Sequence, residues 1–200
     1  NMCRLGRSPE QVLDRVRQQI ANDFAERVGA PVDVAVFTHS QADQPAPFSG
    51  DWQQLEQAVD VTGLHFVHQR EDPSLLQITA LNGQTLRVVS AVLRSNCRVT
   101  HQPDWGDVYI HIRGRQGVTL ASLLRYLVSM RQENHFHEEI CECIYQRLFE
   151  LLRPDELLVG CLYTRRGGID INPIRANRPE LLAEQPITHC DVLTRSSLRQ

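Results

Sequence analysis

Cys97 lies in the run Leu93-Arg94-Ser95-Asn96-Cys97-Arg98-Val99-Thr100-His101-Gln102-Pro103-Asp104-Trp105-Gly106. A thiol on an extended segment, followed by a proline turn and then a carboxylic acid, is a pairing of nucleophile and proton donor. Strand alternation puts Cys97, Val99 and His101 on one face and Asn96, Arg98 and Thr100 on the other. Polar and cationic neighbours favour the thiolate. Against this stand plainer readings: an inert buried cysteine, a turn-forming Asp104, and a His101 that is simply hydrogen-bonded rather than a base.

Two further segments carry chemistry. In Glu133-Asn134-His135-Phe136-His137-Glu138-Glu139, a carboxylate fixed at a helix start can accept two N–H donors from the edge of a purine-like ring. Helix-dipole stabilisation alone also explains acids at Glu138 and Glu139. His135, His137, Cys141 and Cys143 crowd together, but residues two apart on a helix face opposite ways, so Cys141 and Cys143 cannot share one ion. No metal site is expected. In Tyr163-Thr164-Arg165-Arg166-Gly167-Gly168, two guanidinium forks precede a flexible turn, a combination able to hold a phosphate or to form an ordinary exposed turn. Neither a dinucleotide-binding glycine fingerprint nor a P-loop occurs.

Composition narrows the field. All 21 basic residues are arginine, which excludes Schiff-base chemistry on a lysine, and the net charge of -3 argues against a broad nucleic-acid surface. Six dispersed cysteines, without a secretory leader, suit reduced thiols and a cytoplasmic setting. No apolar run approaches the roughly 20 residues that span a bilayer.

The elements that must position these residues follow from pattern. Ser8-Pro9-Glu10-Gln11 reads as a capped helix start, with a helix over 9–28 stopped by Gly29-Ala30-Pro31. Val32 to Phe37 alternates as a strand, and 38–60 reads as an irregular linker. Short strands are expected at 64–68 and 75–79, and Asn82-Gly83 marks a tight turn. A long strand over 85–100 then pairs with 108–112 across a turn at 103–107. Helices over 119–131 and 134–152 and strands over 157–164 and 169–171 follow. The pattern predicts an α+β fold, an antiparallel sheet with two helices packed on one face. The helix-then-strand pattern at 9–38 echoes that at 134–164, so the N-terminal third reads as the second half of a similar unit, and the chain as a fragment.

Taken in order, Ser95-Asn96-Cys97, Thr100-His101-Gln102-Pro103-Asp104-Trp105-Gly106, Arg113-Gly114-Arg115, Leu124-Arg125-Tyr126-Leu127-Val128-Ser129, Phe136-His137-Glu138, Tyr163-Thr164-Arg165-Arg166-Gly167-Gly168 and Asp170-Ile171-Asn172-Pro173 resemble the NADPH-dependent 7-cyano-7-deazaguanine reductases of queuosine biosynthesis, in their two-module form. The resemblance implies a tunnelling fold, with residues 1–80 as a remnant of the N-terminal module, 81–177 as the catalytic module and 178–200 as a tail. It implies that Cys97 attacks the nitrile to form a covalent thioimide and that Asp104 is the general acid. It also implies that His137 and Glu138 bind the deazaguanine ring, and that Arg166 and Gly167 contact NADPH. A homodimer is expected, because a partial sheet leaves pairing edges.

The sequence departs from the family in lacking its Glu-Ser-Lys substrate motif, and in its ending after Asn177. Two alternatives follow: an inactive tunnelling-fold fragment, or a zinc-dependent cyclohydrolase of the same fold. The second would need a metal-spaced His where Thr100 stands.

Overall fold

A computed structural model describes residues 8–36 and 52–184. Cys3, Cys190, Phe37, most of the loop read at 38–60 and the end of the tail lie outside them. The chain divides into two compact units, 1–42 and 43–200.

The first unit is dominated by α1 (Pro9–Val28), which begins and ends where its residue types require. Ser8 Oγ accepts from the Gln11 N–H, Pro9 occupies the first turn, and Gly29 closes the helix at φ 71°. Residues 31–36 form no strand, contrary to their alternating pattern. Alternation describes a chain suited to a sheet, but a strand exists only once its N–H and C=O groups meet a partner.

In the second unit, the described elements are β1 (Gln53–Gln54), α2 (Leu55–Ala58), β2 (Ile78–Ala80), β3 (Thr85–Asn96), β4 (Pro103–Arg113), β5 (Gln116–Val118), α3 (Leu120–Ser129), α4 (His137–Leu152), β6 (Glu156–Tyr163), β7 (Ile174–Ala176) and α5 (Glu180–Glu184). Five strands form a sheet in the order β1-β3-β4-β6-β7, antiparallel except for β1 on β3, and β2 pairs with β5 in a separate ribbon. The fold is therefore the expected α+β arrangement, with α3 and α4 on one sheet face. Leu123, Leu127, Ile140, Ile144 and Leu148 pack there against Val88, Val108, Ile110, Ile112 and Val159. The opposite face carries a smaller cluster of Trp52, Val89, Tyr109, Leu158 and Leu181. Because both faces are covered, the central strands read as nearly continuous apolar runs.

Several boundaries differ from the pattern. Residues 64–68 are irregular, 75–79 contributes only the start of β2, and 53–58 is structured rather than linker. The expected strand at 169–171 is replaced by β7 five residues later, since Gly160 pairs with Ile174. The correction that matters most is at Cys97. β3 ends at Asn96, whose last pair is with Pro103, so the turn is 97–102 and residues 103–107 are strand. Cys97 is a turn residue, and the alternation assigned to Cys97, Val99 and His101 does not apply.

A register shift between Ser90 and Leu93 governs which side chains face the helices. Before it, even-numbered residues such as Val88 oppose core positions of β4. After it, odd-numbered ones do, so that Leu93 opposes Gly106 and Ser95 opposes Asp104. The Glu56 carboxylate supports the shift by accepting from Ser90 Oγ and the Ala91 N–H, both at 2.7 Å.

Candidate functional site

The Cys97 turn is closed by main-chain hydrogen bonds from the Cys97 N–H to Gln102 O (2.8 Å) and from the His101 N–H to Cys97 O (2.9 Å). His101 takes φ 56°, a left-handed conformation that lets the chain reverse within so few residues. The Thr100 N–H points at Cys97 Sγ, 3.5 Å away. Hydrogen bonds from Thr100, and from the Val99 N–H, hold the thiol below its ordinary range, against an opposing effect of the Asp104 charge. Cys97 is half-buried, so a thiolate here is accessible.

A second segment anchors the turn. The Asn96 N–H donates to Glu133 O and the His135 N–H to Asn96 O, while His101 Nδ1 lies 3.0 Å from Asn134 Oδ1. Arg98 reaches Glu139 Oε1 at 3.0 Å and its guanidinium stacks over Phe136. Glu139 in turn accepts from the Phe136 N–H at the start of α4, and this bond is the main reason its carboxyl stays below the usual range. These contacts fix the start of α4, and so the position of its first residue, His137, relative to Cys97.

Asp104 is the hub. It is 1% exposed, one residue into β4, and its Oδ1 accepts from Arg166 Nε at 2.5 Å and faces His137 Nε2 at 3.4 Å. Arg166 also reaches Thr100 and Gln102 in the Cys97 turn, so thiol, acid and guanidinium form one connected group. The His137 ring lies flat on Tyr163, with centroids 3.9 Å apart and planes at 8°. Tyr163 opposes Gly106 across the sheet, and a Cβ at Gly106 would come within 3.0 Å of the Tyr163 ring, so the glycine makes room for the stack. In this neighbourhood the Ser95 and Tyr163 hydroxyls are buried and within reach of one another, and the buried His137 Nδ1 has no hydrogen-bond partner. An unpaired buried ring nitrogen is uncommon in a settled core.

The expected residues do not all converge. Cys97, Asp104, His137 and Arg166 share the network above. Glu138 is exposed and lines a groove of about 450 Å³ along α4 with Glu142, Cys143 and Arg175. Gly167 and Gly168 form a turn at φ 57° and 81°, with open space where side chains would stand. The residue reading missed Thr100, Gln102, Ser95 and Tyr163 as parts of the site. A signal existed for Tyr163, since it continues the core-facing series Leu157, Val159 and Cys161 of β6. Thr100 gave none, because its role depends on where the turn falls.

Comparison with known proteins places this region. A family model described as QueF-like protein matches residues 103–180, a span that includes Asp104, His137, Glu138, Arg166 and Gly167 and begins just after the Cys97 turn. Among solved structures, one titled crystal structure of the archaeosine synthase QueF-Like in the apo form is similar at a TM-score of 0.43 and 16% identity, over 46% of this chain and 91% of that one. That likeness is too distant to carry an argument. The QueF-like family points to an enzyme related to queuosine modified-base biosynthesis. The strand and helix order from β3 to β7 is that expected of a tunnelling-fold module, and residues 103–180 of this chain match the QueF-like family model.

Proposed function

We propose that this chain carries the catalytic centre of a nitrile reductase that converts 7-cyano-7-deazaguanine to its aminomethyl product with NADPH as hydride source. The observation that carries the reading is the Cys97 turn, in which Thr100 and Val99 favour the thiolate beside the buried carboxyl of Asp104.

A thiolate adds to the nitrile carbon, forming a C–S bond as one C–N π bond opens. The nitrogen takes the proton that Cys97 gives up, relayed by the Asp104 carboxylate, which ends as it began, and a neutral thioimide results. Thioimide formation turns a poor hydride acceptor into an activated C=N. His137, held flat by Tyr163, forms one wall for the deazaguanine ring, and its buried Nδ1 is an unspent polar group. Glu138, the ring-binding residue expected from the resemblance, would have to turn from its groove toward Asp104.

The cofactor's fit is partial. The Gly167-Gly168 turn is open to close approach, but Arg166 is engaged with residues 100–104 and Arg165 with Asp170. The hydride step is therefore assigned no residue.

Intact mass after incubation with 7-cyano-7-deazaguanine tests the reading. The expected result is a gain of one substrate mass, lost in Cys97→Ala, followed by NADPH oxidation when cofactor is added. Absence of adduct on the wild-type chain refutes it.

A further inference from the structure

The Arg166 guanidinium has five N–H donors, and four are already spent. Nε donates to Asp104 Oδ1, Nη1 to Gln102 Oε1 at 2.7 Å and to Thr100 Oγ1 at 3.4 Å, and Nη2 to Pro103 O at 3.0 Å. Every acceptor lies within residues 100–104. Two of those residues hold the nucleophile directly: Gln102 through its main-chain oxygen, which accepts the Cys97 N–H, and Thr100 through the N–H aimed at Sγ. Their side chains are the ones Arg166 grips.

We propose that Arg166 is a positioning residue for Cys97, a strap across the 97–104 turn, rather than a phosphate hook standing free for the cofactor. Its main chain supports this use. Arg166 and Ile169 exchange hydrogen bonds at 3.0 Å around the Gly167-Gly168 turn, which fixes the base of the arginine while leaving space beyond it. The strap acts twice on the thiol. It fixes the N–H groups that stabilise the thiolate, and it pairs with the Asp104 charge that opposes it. An anion that drew the guanidinium away would free Oδ1 of Asp104 and loosen the Cys97 turn in one movement. The proposal deepens the reductase reading, and rests on it only for the identity of the electrophile.

The test is the pH dependence of Cys97 alkylation by iodoacetamide on the full chain, followed by the mass of the Cys97 peptide. In Arg166→Ala the half-maximal pH should rise by about one unit, with a roughly tenfold slower rate at pH 7. Gln102→Ala, which removes an exposed anchor of the strap, should move the same way by about threefold. Arg165→Ala, paired with Asp170, should stay within about twofold of wild type. An unchanged profile in Arg166→Ala overturns the proposal, as does an equal shift in Arg165→Ala. If Arg166→Ala does not fold, Gln102→Ala decides alone. A strapped thiol that alkylates as expected yet forms no nitrile adduct removes the reductase reading and leaves the strap standing.

Discussion

The two ends of β4 hold the same ingredients, a buried histidine, a carboxylate and arginine, put to different use. At the Arg113 end, His111 Nδ1 accepts from Arg87 Nε and Nε2 faces Glu156 Oε2, both at 3.2 Å, and Arg113 covers the other Glu156 oxygen. At the Asp104 end, about 24 Å along the strand and on the opposite face, His137 has one ring nitrogen engaged and one orphaned, near a thiol held toward its charged form. A closed network of this kind locks β4 to β3 and β6. The open one leaves His137 Nδ1 unsatisfied, and on the proposed reading that incompleteness separates a site from a staple.

Exchanging the two histidines should break the comparison cleanly. His111→Ala leaves Glu156 and Arg87 without their shared partner and should cost about 2–3 kcal/mol, or roughly 5–10 °C in melting temperature, with adduct formation little changed. His137→Ala should do the reverse, slowing adduct formation by about 100-fold at a small cost in stability. Calorimetry and timed intact mass read the two effects.

Gly106→Ala sharpens the account from within the open end. The new Cβ would meet Tyr163 Cδ1 at 3.0 Å and Leu162 O at 3.2 Å, and the ring must move, carrying His137 with it. Adduct formation should slow about tenfold, with roughly 1–3 kcal/mol lost.

The smallest effect is in pH. Burial, ahead of its other influences, lowers the His111 pKa below its ordinary value, so the unfolded chain takes up that proton first. The contribution of the neutral ring is complete above about pH 6.5 and drains as pH falls, because protons then favour the unfolded state. Melting temperature measured downward from pH 7 should fall through this window, and His111→Gln should flatten the fall.

The reach of the sequence follows the same division. α1 is legible because Ser8, Pro9, Gln11 and Gly29 announce both ends locally, and the interior of α4 because Ile140, Ile144 and Leu148 keep helical spacing. Cys97 and Asp104 stand out as residue types seven apart, and the structure does join them through Arg166. What stayed hidden is non-local. The end of β3 is set by the pairing of Asn96 with Pro103, not by any breaker within 85–100, so Cys97 reads as strand although it is turn. The bulge at Ser90–Leu93 depends on the Glu56 carboxylate from a distant segment, and it decides that Ser95 faces the helices. Glu138 carries the right chemistry, but its place on α4 turns it toward Arg175 rather than Asp104.

The central claim is that the open end of β4 is chemical and the closed end is not, and the rate of adduct formation in Asp104→Asn set against Glu156→Gln tests it most directly. Timed intact mass, well below the melting temperature of both variants, should show at least about a 100-fold loss for Asp104→Asn and no more than about threefold for Glu156→Gln. Equal losses, or an Asp104→Asn variant as fast as wild type, would contradict it.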